Sequence, residues 1–239
     1  MSIQTKYIEY TDEGEVLEGY MAWDDGINSP KPGILIGHAW AGRSSFECRK
    51  AELLAELGYV GFALDVYGKG ISGSNNNENA ALMKPFLDNR ELLQRRANLA
   101  LTTLKDQPEV DTSKLASIGY CFGGLMSLDI ARCEADIRGV VSLHGNLSAP
   151  GNTSGNKITA KVLVLHGWKD PMVPPSDVVS FAEEMNAMSA DWQLHAFGNA
   201  MHAFTKTGMN DADNGMLYDE ASDIRSWDSM RLFLNEVFG

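Results

Sequence analysis

Apolar residues in this chain fall into two patterns: short unbroken runs, and longer stretches where they recur every three or four residues. The first pattern predicts strands buried on both faces of a sheet, and the second predicts helices with one face in a core. Ile3 to Tyr10 and Val16 to Trp23, separated by the polar TDEGE, predict a β-hairpin at a sheet edge. The run Gly33-Ile-Leu-Ile-Gly37, which follows the turn-forming NSPKPG, predicts the first interior strand. Leu53, Leu54 and Leu57 mark the inner face of the next helix, with Ser44 or Ser45 as its N-cap and Gly58 at its end. Tyr59 to Leu64 predicts another strand, and Asp65 to Gly70 the loop at its carboxyl end. Ser72 to Asn79 is polar and predicts a flexible segment. Asn89 to Lys105 has helical spacing that stops before Pro108, which cannot continue the ladder.

The alternation continues downstream. Leu115 to Tyr120 leads into a helix after Gly123, Val140 to Leu143 is a strand, and Val162 to His166 leads into a helix over Ser176 to Met188. Strand Trp192 to Phe197 gives way to a long Gly- and Asn-containing loop and then an amphipathic helix over Ser222 to Val237. Strands that alternate with helices in this way predict an α/β fold, a mainly parallel central sheet with helices on both faces. Ligands in such folds bind at the carboxyl ends of the strands. With 239 residues and no internal repeat, a single domain spanning 1–239 is expected.

Composition narrows the function classes. The 44% hydrophobic and 22% charged residues are those of a globular protein and fit disordered, collagen-like or coiled-coil chains poorly. A net charge of -12 with scattered Lys and Arg argues against a nucleic-acid partner, while leaving room for a small anionic ligand. The opening MSIQTKYIEY lacks the features of a secretory signal, and no apolar stretch is long enough to span a bilayer. A soluble cytoplasmic protein without a membrane partner is therefore expected. Three cysteines without framework spacing predict thiols rather than a disulfide scaffold. The His and Cys positions lack metal-ligand spacing, and no Gly-rich loop precedes a Lys-Ser or Lys-Thr pair, so neither a metal nor a cofactor is implied.

The stretch Gly119-Tyr120-Cys121-Phe122-Gly123 follows an apolar strand and opens a helix. It is the G-x-nucleophile-x-G elbow of α/β-hydrolases with Cys in place of Ser. The elbow is a strained turn that tolerates only small neighbours. It would hold Cys121 clear of the sheet at a helix N-terminus, which favours thiolate over thiol. The competing reading is a buried packing cysteine beside a Gly-rich turn. Downstream come an acid and a base, in the chain order of this fold. Asp170 stands in His166-Gly-Trp-Lys-Asp-Pro-Met-Val-Pro174 after a strand, and His202 in Gly198-Asn-Ala-Met-His-Ala-Phe204 after the last strand. Asp170 is the expected orienting acid and His202 the expected base. His195 lies inside a strand pattern and His144 follows a strand, so both read as structural, and His166 reads as scaffold around Asp170. Cys48 and Cys133 lie on predicted helices and read as packing residues.

These segments, G-Y-C-F-G-G at 119–124, H-G-W-K-D at 166–170, H-A-F-T-K-T-G at 202–208 and G-Y-V-G-F-A-L-D-V-Y-G-K from Gly58 to Lys69, resemble the dienelactone hydrolase (carboxymethylenebutenolidase) family. The similarity runs from Gly33 to the last helix. It implies an α/β-hydrolase fold and a cysteine-dependent hydrolase of small esters or lactones, anionic ones included. It also implies an oxyanion hole from the backbone amides of Trp40 and Phe122, in which each donor is worth on the order of 3 kcal/mol. Two departures bear on substrate. The family's Glu in the strand-end loop, which interacts with the thiol, corresponds to Ala39; His38, which ends the first apolar strand, reads by its position as a wall or supporting residue of the site rather than its base. Of the family's two carboxylate-binding arginines, one corresponds to Lys206; the other falls where Lys84 is the nearest cation and Lys69 the next. An ammonium cannot reproduce a guanidinium fork, and solvated surface lysines are an equal reading. The missing carboxylate leaves an alternative function open, a catalytically weak member that binds a small acidic ligand in the same pocket.

Overall fold

The computed structural model describes residues 2–26 and 29–239. The predicted turn NSPKPG begins at Asn28, which lies outside them. Internal contacts divide the chain into two compact units, Met1–Ile118 and Gly119–Gly239.

The first unit opens with the expected hairpin, strands β1 (Ile3–Asp12) and β2 (Glu15–Asp24), in which Asp12 stands opposite Glu15. Its two turn residues, Glu13 and Gly14, have φ of 50° and 94°, the left-handed backbone that a two-residue hairpin turn of matching twist requires. β3 (Lys31–Gly37) and β4 (Val60–Ala63) pair in parallel across the helix α1 (Ser45–Glu56). Ile34, Leu35, Ile36, Val60 and Phe62 have no exposure, which is why these strands read as unbroken apolar runs. Each such side chain contributes roughly 1.5–3 kcal/mol by leaving water. Of the two candidate caps it is Ser44 that closes the helix, in a capping box with Glu47.

The helix α2 (Asn76–Asp88) corrects the reading of Ser72 to Asn79 as flexible throughout, because 76–79 form its first turn behind the cap Asn75. Its only buried residues are Asn79 and Phe86, so it carries little apolar periodicity, and Pro85 interrupts the sequence signal further. α3 (Arg90–Lys105) starts at its cap Asn89 and buries Leu93, Ala97, Ala100, Leu101 and Leu104. β5 (Val110–Tyr120) begins earlier than its apolar segment, through the polar residues Asp111 to Lys114.

In the second unit α4 (Phe122–Arg132) starts at Phe122, ahead of the glycine where the sequence placed it, and all its residues are buried. β6 (Gly139–Leu143), β7 (Lys161–Gly167) and β8 (Trp192–Phe197) run parallel, with α5 (Pro175–Ala187) between the last two. The loop after β8 contains a small antiparallel hairpin, β9 (Asn210–Asp211) and β10 (Met216–Leu217), which its sequence did not reveal. α6 (Glu220–Phe238) packs on β6 and β7. Buried Arg132 clamps the segment after β6. It donates to Glu184 at 2.9 and 2.6 Å, to Asp129 at 3.2 Å, and to the carbonyls of Leu147 at 2.9 Å and Ser148 at 3.1 Å.

The strands form an eight-stranded sheet in the order β1-β2-β4-β3-β5-β6-β7-β8, antiparallel at its N-terminal edge and mostly parallel elsewhere, the mixed α/β arrangement expected from the sequence. No helix among the described residues is long and apolar enough to cross a membrane.

Candidate active site

The second unit holds Cys121, Asp170 and His202, each in the turn or loop that follows a strand of the sheet. The turn that carries Cys121 closes only because two positions lack side chains. A Cβ on Gly119 would stand 1.9 Å from the carbonyl oxygen of Gly123, and one on Gly124 would stand 2.5 Å from Ser142 Oγ. Cys121 itself adopts φ 57° and ψ -114°, a conformation that costs a non-glycine residue about 1–3 kcal/mol and persists only when its surroundings fix it. The fixing bonds are its amide to Leu143 O at 3.0 Å and its carbonyl to the amide of Gly124 at 3.0 Å. The half-buried thiol stands at the N-terminus of α4 without capping it.

Asp170 is buried and uses both carboxylate oxygens. Oδ1 accepts from the amide of Met172 at 2.8 Å, and Oδ2 lies 2.7 Å from His202 Nδ1. The loop beneath it is bound to the segment before His202, through Trp168 N to Phe197 O at 3.0 Å and Lys169 N to Ala200 O at 2.9 Å. Gly167 permits that approach, since a Cβ there would meet Met201 O at 2.6 Å. His202 is fixed by its amide to Gly215 O at 2.9 Å and by the amide of Leu217 to its carbonyl at 3.1 Å, so the small hairpin braces the imidazole-bearing residue. With Nδ1–H donated to Asp170, the buried Nε2 is the nitrogen left to accept a proton.

Burial opposes a charge on the His202 ring. The charge of the Cys121 sulfur, and the bond to and charge of Asp170, outweigh it and hold the imidazole pKa up to about 10. Sulfur, imidazole and carboxylate are thereby coupled electrostatically. His166, buried one turn from Asp170, behaves oppositely: burial pushes its pKa down, the charge of Asp170 opposes this, and the charge of His202 adds to it. His144, read from the sequence as structural because it follows a strand, packs its ring edge-on to His202 with centroids 5.2 Å apart. The remaining candidate, His195, is half-buried on β8 with Nδ1 3.3 Å from Ser229 Oγ.

Of the residues assigned through resemblance, Phe122 is the first residue of α4 and Lys206 is exposed beyond His202. The others lie in the first unit. His38 is fully buried: Nδ1 lies 2.7 Å from Ala39 O, Nε2 accepts from Val66 N at 3.4 Å, and burial lowers its pKa. The amide of Ala39 donates to buried Glu47 at 3.2 Å, so a carboxylate that no motif associates with this loop stands beside it. Trp40 accepts from Tyr67 Oη at 3.0 Å through its carbonyl. Lys69 pairs with Glu9 and Glu18, and Lys84 with Asp88 at 2.6 Å on the exposed face of α2, so both ammonium groups are already matched to carboxylates. Among the described residues, no group of His, Cys, Asp and Glu has a metal-binding arrangement, and none of the three cysteines is in a disulfide.

The model of the dienelactone hydrolase family matches residues 17–238. A solved structure, a dienelactone hydrolase-like promiscuous phosphotriesterase from metagenomic libraries, is 32% identical, with full coverage of both chains and a TM-score of 0.94. An uncharacterized protein of Caenorhabditis elegans is 38% identical over 154 residues, covering 63% of this chain and 98% of its own length. A dienelactone hydrolase from Anabaena variabilis, 20% identical, shares the fold over 98% of each chain with a TM-score of 0.68.

Proposed function

Since the chain belongs to the dienelactone hydrolase family, whose members are hydrolases acting on esters and lactones, we propose that it hydrolyses small esters or lactones with Cys121 as nucleophile, His202 as base and Asp170 as orienting acid. The observation that carries this reading is the coupled row in the second unit: an elbow cysteine in a strained backbone, an imidazole whose pKa its sulfur raises, and a carboxylate 2.7 Å from the far ring nitrogen.

The chemistry follows from that row. His202 Nε2 takes the thiol proton, and the helix N-terminus and the imidazolium both favour the thiolate. The sulfur attacks the carbonyl carbon, and the amide of Phe122 faces the oxyanion as it forms. Collapse of the tetrahedral intermediate expels the alcohol, which takes its proton from His202, and leaves a thioester on Cys121. Water, deprotonated by His202, attacks that thioester and releases the acid and the thiolate. Asp170 holds Nδ1–H throughout, keeping the useful tautomer. Lys206 is the cation of this unit offered to an anionic substrate.

Hydrolysis of a chromogenic short-chain ester by wild type and Cys121→Ala tests this, with an expected loss on the order of 10³-fold or more in kcat. Equal rates in the two proteins would remove Cys121 from the mechanism.

The phosphotriesterase relative favours a second activity at the same nucleophile. A thiolate able to attack a carbonyl can attack an uncharged phosphotriester, which repels it less than a phosphate monoanion would. Release of 4-nitrophenol from a dialkyl 4-nitrophenyl phosphate, abolished in Cys121→Ala, is the expected result; no release by wild type would exclude it.

A further inference from the structure

His144 has no part in the chemistry above, yet it touches the loop that carries His202 and lies near the residue that precedes Cys121. It follows β6 with φ 40°, a left-handed backbone that a histidine adopts only at a cost, and its amide is fixed to Leu165 O at 2.9 Å. Its Nε2 lies 2.8 Å from Thr205 Oγ1, with both residues buried. The ring stands edge-on to His202 at 5.2 Å and to Phe204 at 5.1 Å, and 6.0 Å from Tyr120, the residue before the nucleophile.

Asp170 fixes one atom of the His202 ring, and a ring held at one atom can still swing about that bond. Ala203, between His202 and Phe204, has φ 57°, so the chain turns sharply just after the imidazole and needs an anchor beyond the turn. Thr205 is that anchor. Its hydroxyl ties the loop to His144, whose ring then closes off one side of the His202 imidazole.

Resting on the reading of His202 as the base, we propose that the buried His144–Thr205 hydrogen bond is a positioning device that sets the plane of the His202 ring toward the Cys121 sulfur. A small displacement of a reacting group at such a site slows the chemical step far more than it weakens binding. A bond that served only packing would change stability and leave the kinetic constants alone.

The test compares Thr205→Val, which keeps the volume and loses the hydroxyl, with Thr205→Ser, which keeps the hydroxyl. On a chromogenic ester Thr205→Val is expected to lower kcat roughly 10- to 100-fold. KM should stay within about twofold, and Thr205→Ser should retain most of the wild-type kcat. His144→Phe, which keeps an aromatic ring and removes the bond, should match Thr205→Val. Wild-type kcat in Thr205→Val, or a Thr205→Ser kcat as low as that of the valine variant, overturns the proposal. Should the valine variant fail to fold, Thr205→Ser and His144→Phe carry the same two outcomes. Undiminished activity in Cys121→Ala or His202→Ala would instead sink the reading beneath it, a result that the Thr205 variants cannot produce.

Discussion

Asp170→Asn is the sharpest probe of the row, because the structure says which bond it spares and which it breaks. Oδ1 accepts from Met172 N at 2.8 Å, and Oδ2 lies 2.7 Å from His202 Nδ1. The amide oxygen of asparagine can keep the first bond, and with it the turn. The NH2 group then faces Nδ1, and two donors cannot share a proton. The ring must switch tautomer, so that Nδ1 accepts and Nε2 carries the hydrogen, which leaves no base pointing at the thiol. The charge-assisted bond alone is worth roughly 1.5–3 kcal/mol, about 10- to 150-fold in rate. In serine proteases the corresponding carboxylate-to-amide change lowers kcat by roughly 10⁴. The expected loss here lies between these, on the order of 10²- to 10⁴-fold in kcat, with KM within about threefold. Initial rates on a chromogenic ester between pH 6 and 9, with a thermal melt to show the fold intact, measure it. A folded Asp170→Asn enzyme within about fivefold of wild type would refute the tautomer argument.

Gly119→Ala should disrupt the elbow, because its Cβ would lie 1.9 Å from Gly123 O, a backbone atom at the start of a buried helix. Overpacking of this kind costs up to about 3 kcal/mol, which a melt should show as a fall of roughly 6–12 °C together with lost activity. Arg132→Met strands the Asp129 and Glu184 carboxylates that its guanidinium now pairs. Chemical denaturation should register a loss of about 3–5 kcal/mol. His202, held up to about 10 against an ordinary 6.5, contributes stability that is complete below pH 6.5 and lost as the pH rises toward about 10. Melts over pH 6.5–10 should therefore decline more steeply in wild type than in Cys121→Ala, which lacks the sulfur that raises the imidazole; parallel curves would count against the coupling.

The strands were legible because Ile34 to Ile36 and Val162 to Leu165 are buried on both sides and admit no polar residue. The elbow was legible because its G-x-C-x-G spacing lies in one short segment, where Gly119 leaves room that no larger residue would. α2 was not, since a helix that buries only Asn79 and Phe86 writes almost no apolar period and Pro85 reads as a breaker. The hairpin of β9 and β10 is too short to alternate, yet it holds His202 by its backbone. The contact of His144 with Thr205 joins residues far apart in sequence, and nothing in either segment points to the other. Spacing along a chain reports one face of one element, whereas a bond across two loops exists only once both have folded.

The central claim is that the imidazole next to Cys121 keeps its sulfur as a thiolate at neutral pH. Burial pushes the Cys48 thiol up, which provides an internal reference for an unactivated cysteine in the same protein. Alkylation by iodoacetamide, followed residue by residue by mass spectrometry from pH 6 to 9, compares the two directly. Cys121 should react faster than Cys48 at every pH and lose little rate toward pH 6, and His202→Ala should erase the difference. A Cys121 that labels no faster than Cys48 at pH 7 would contradict the account.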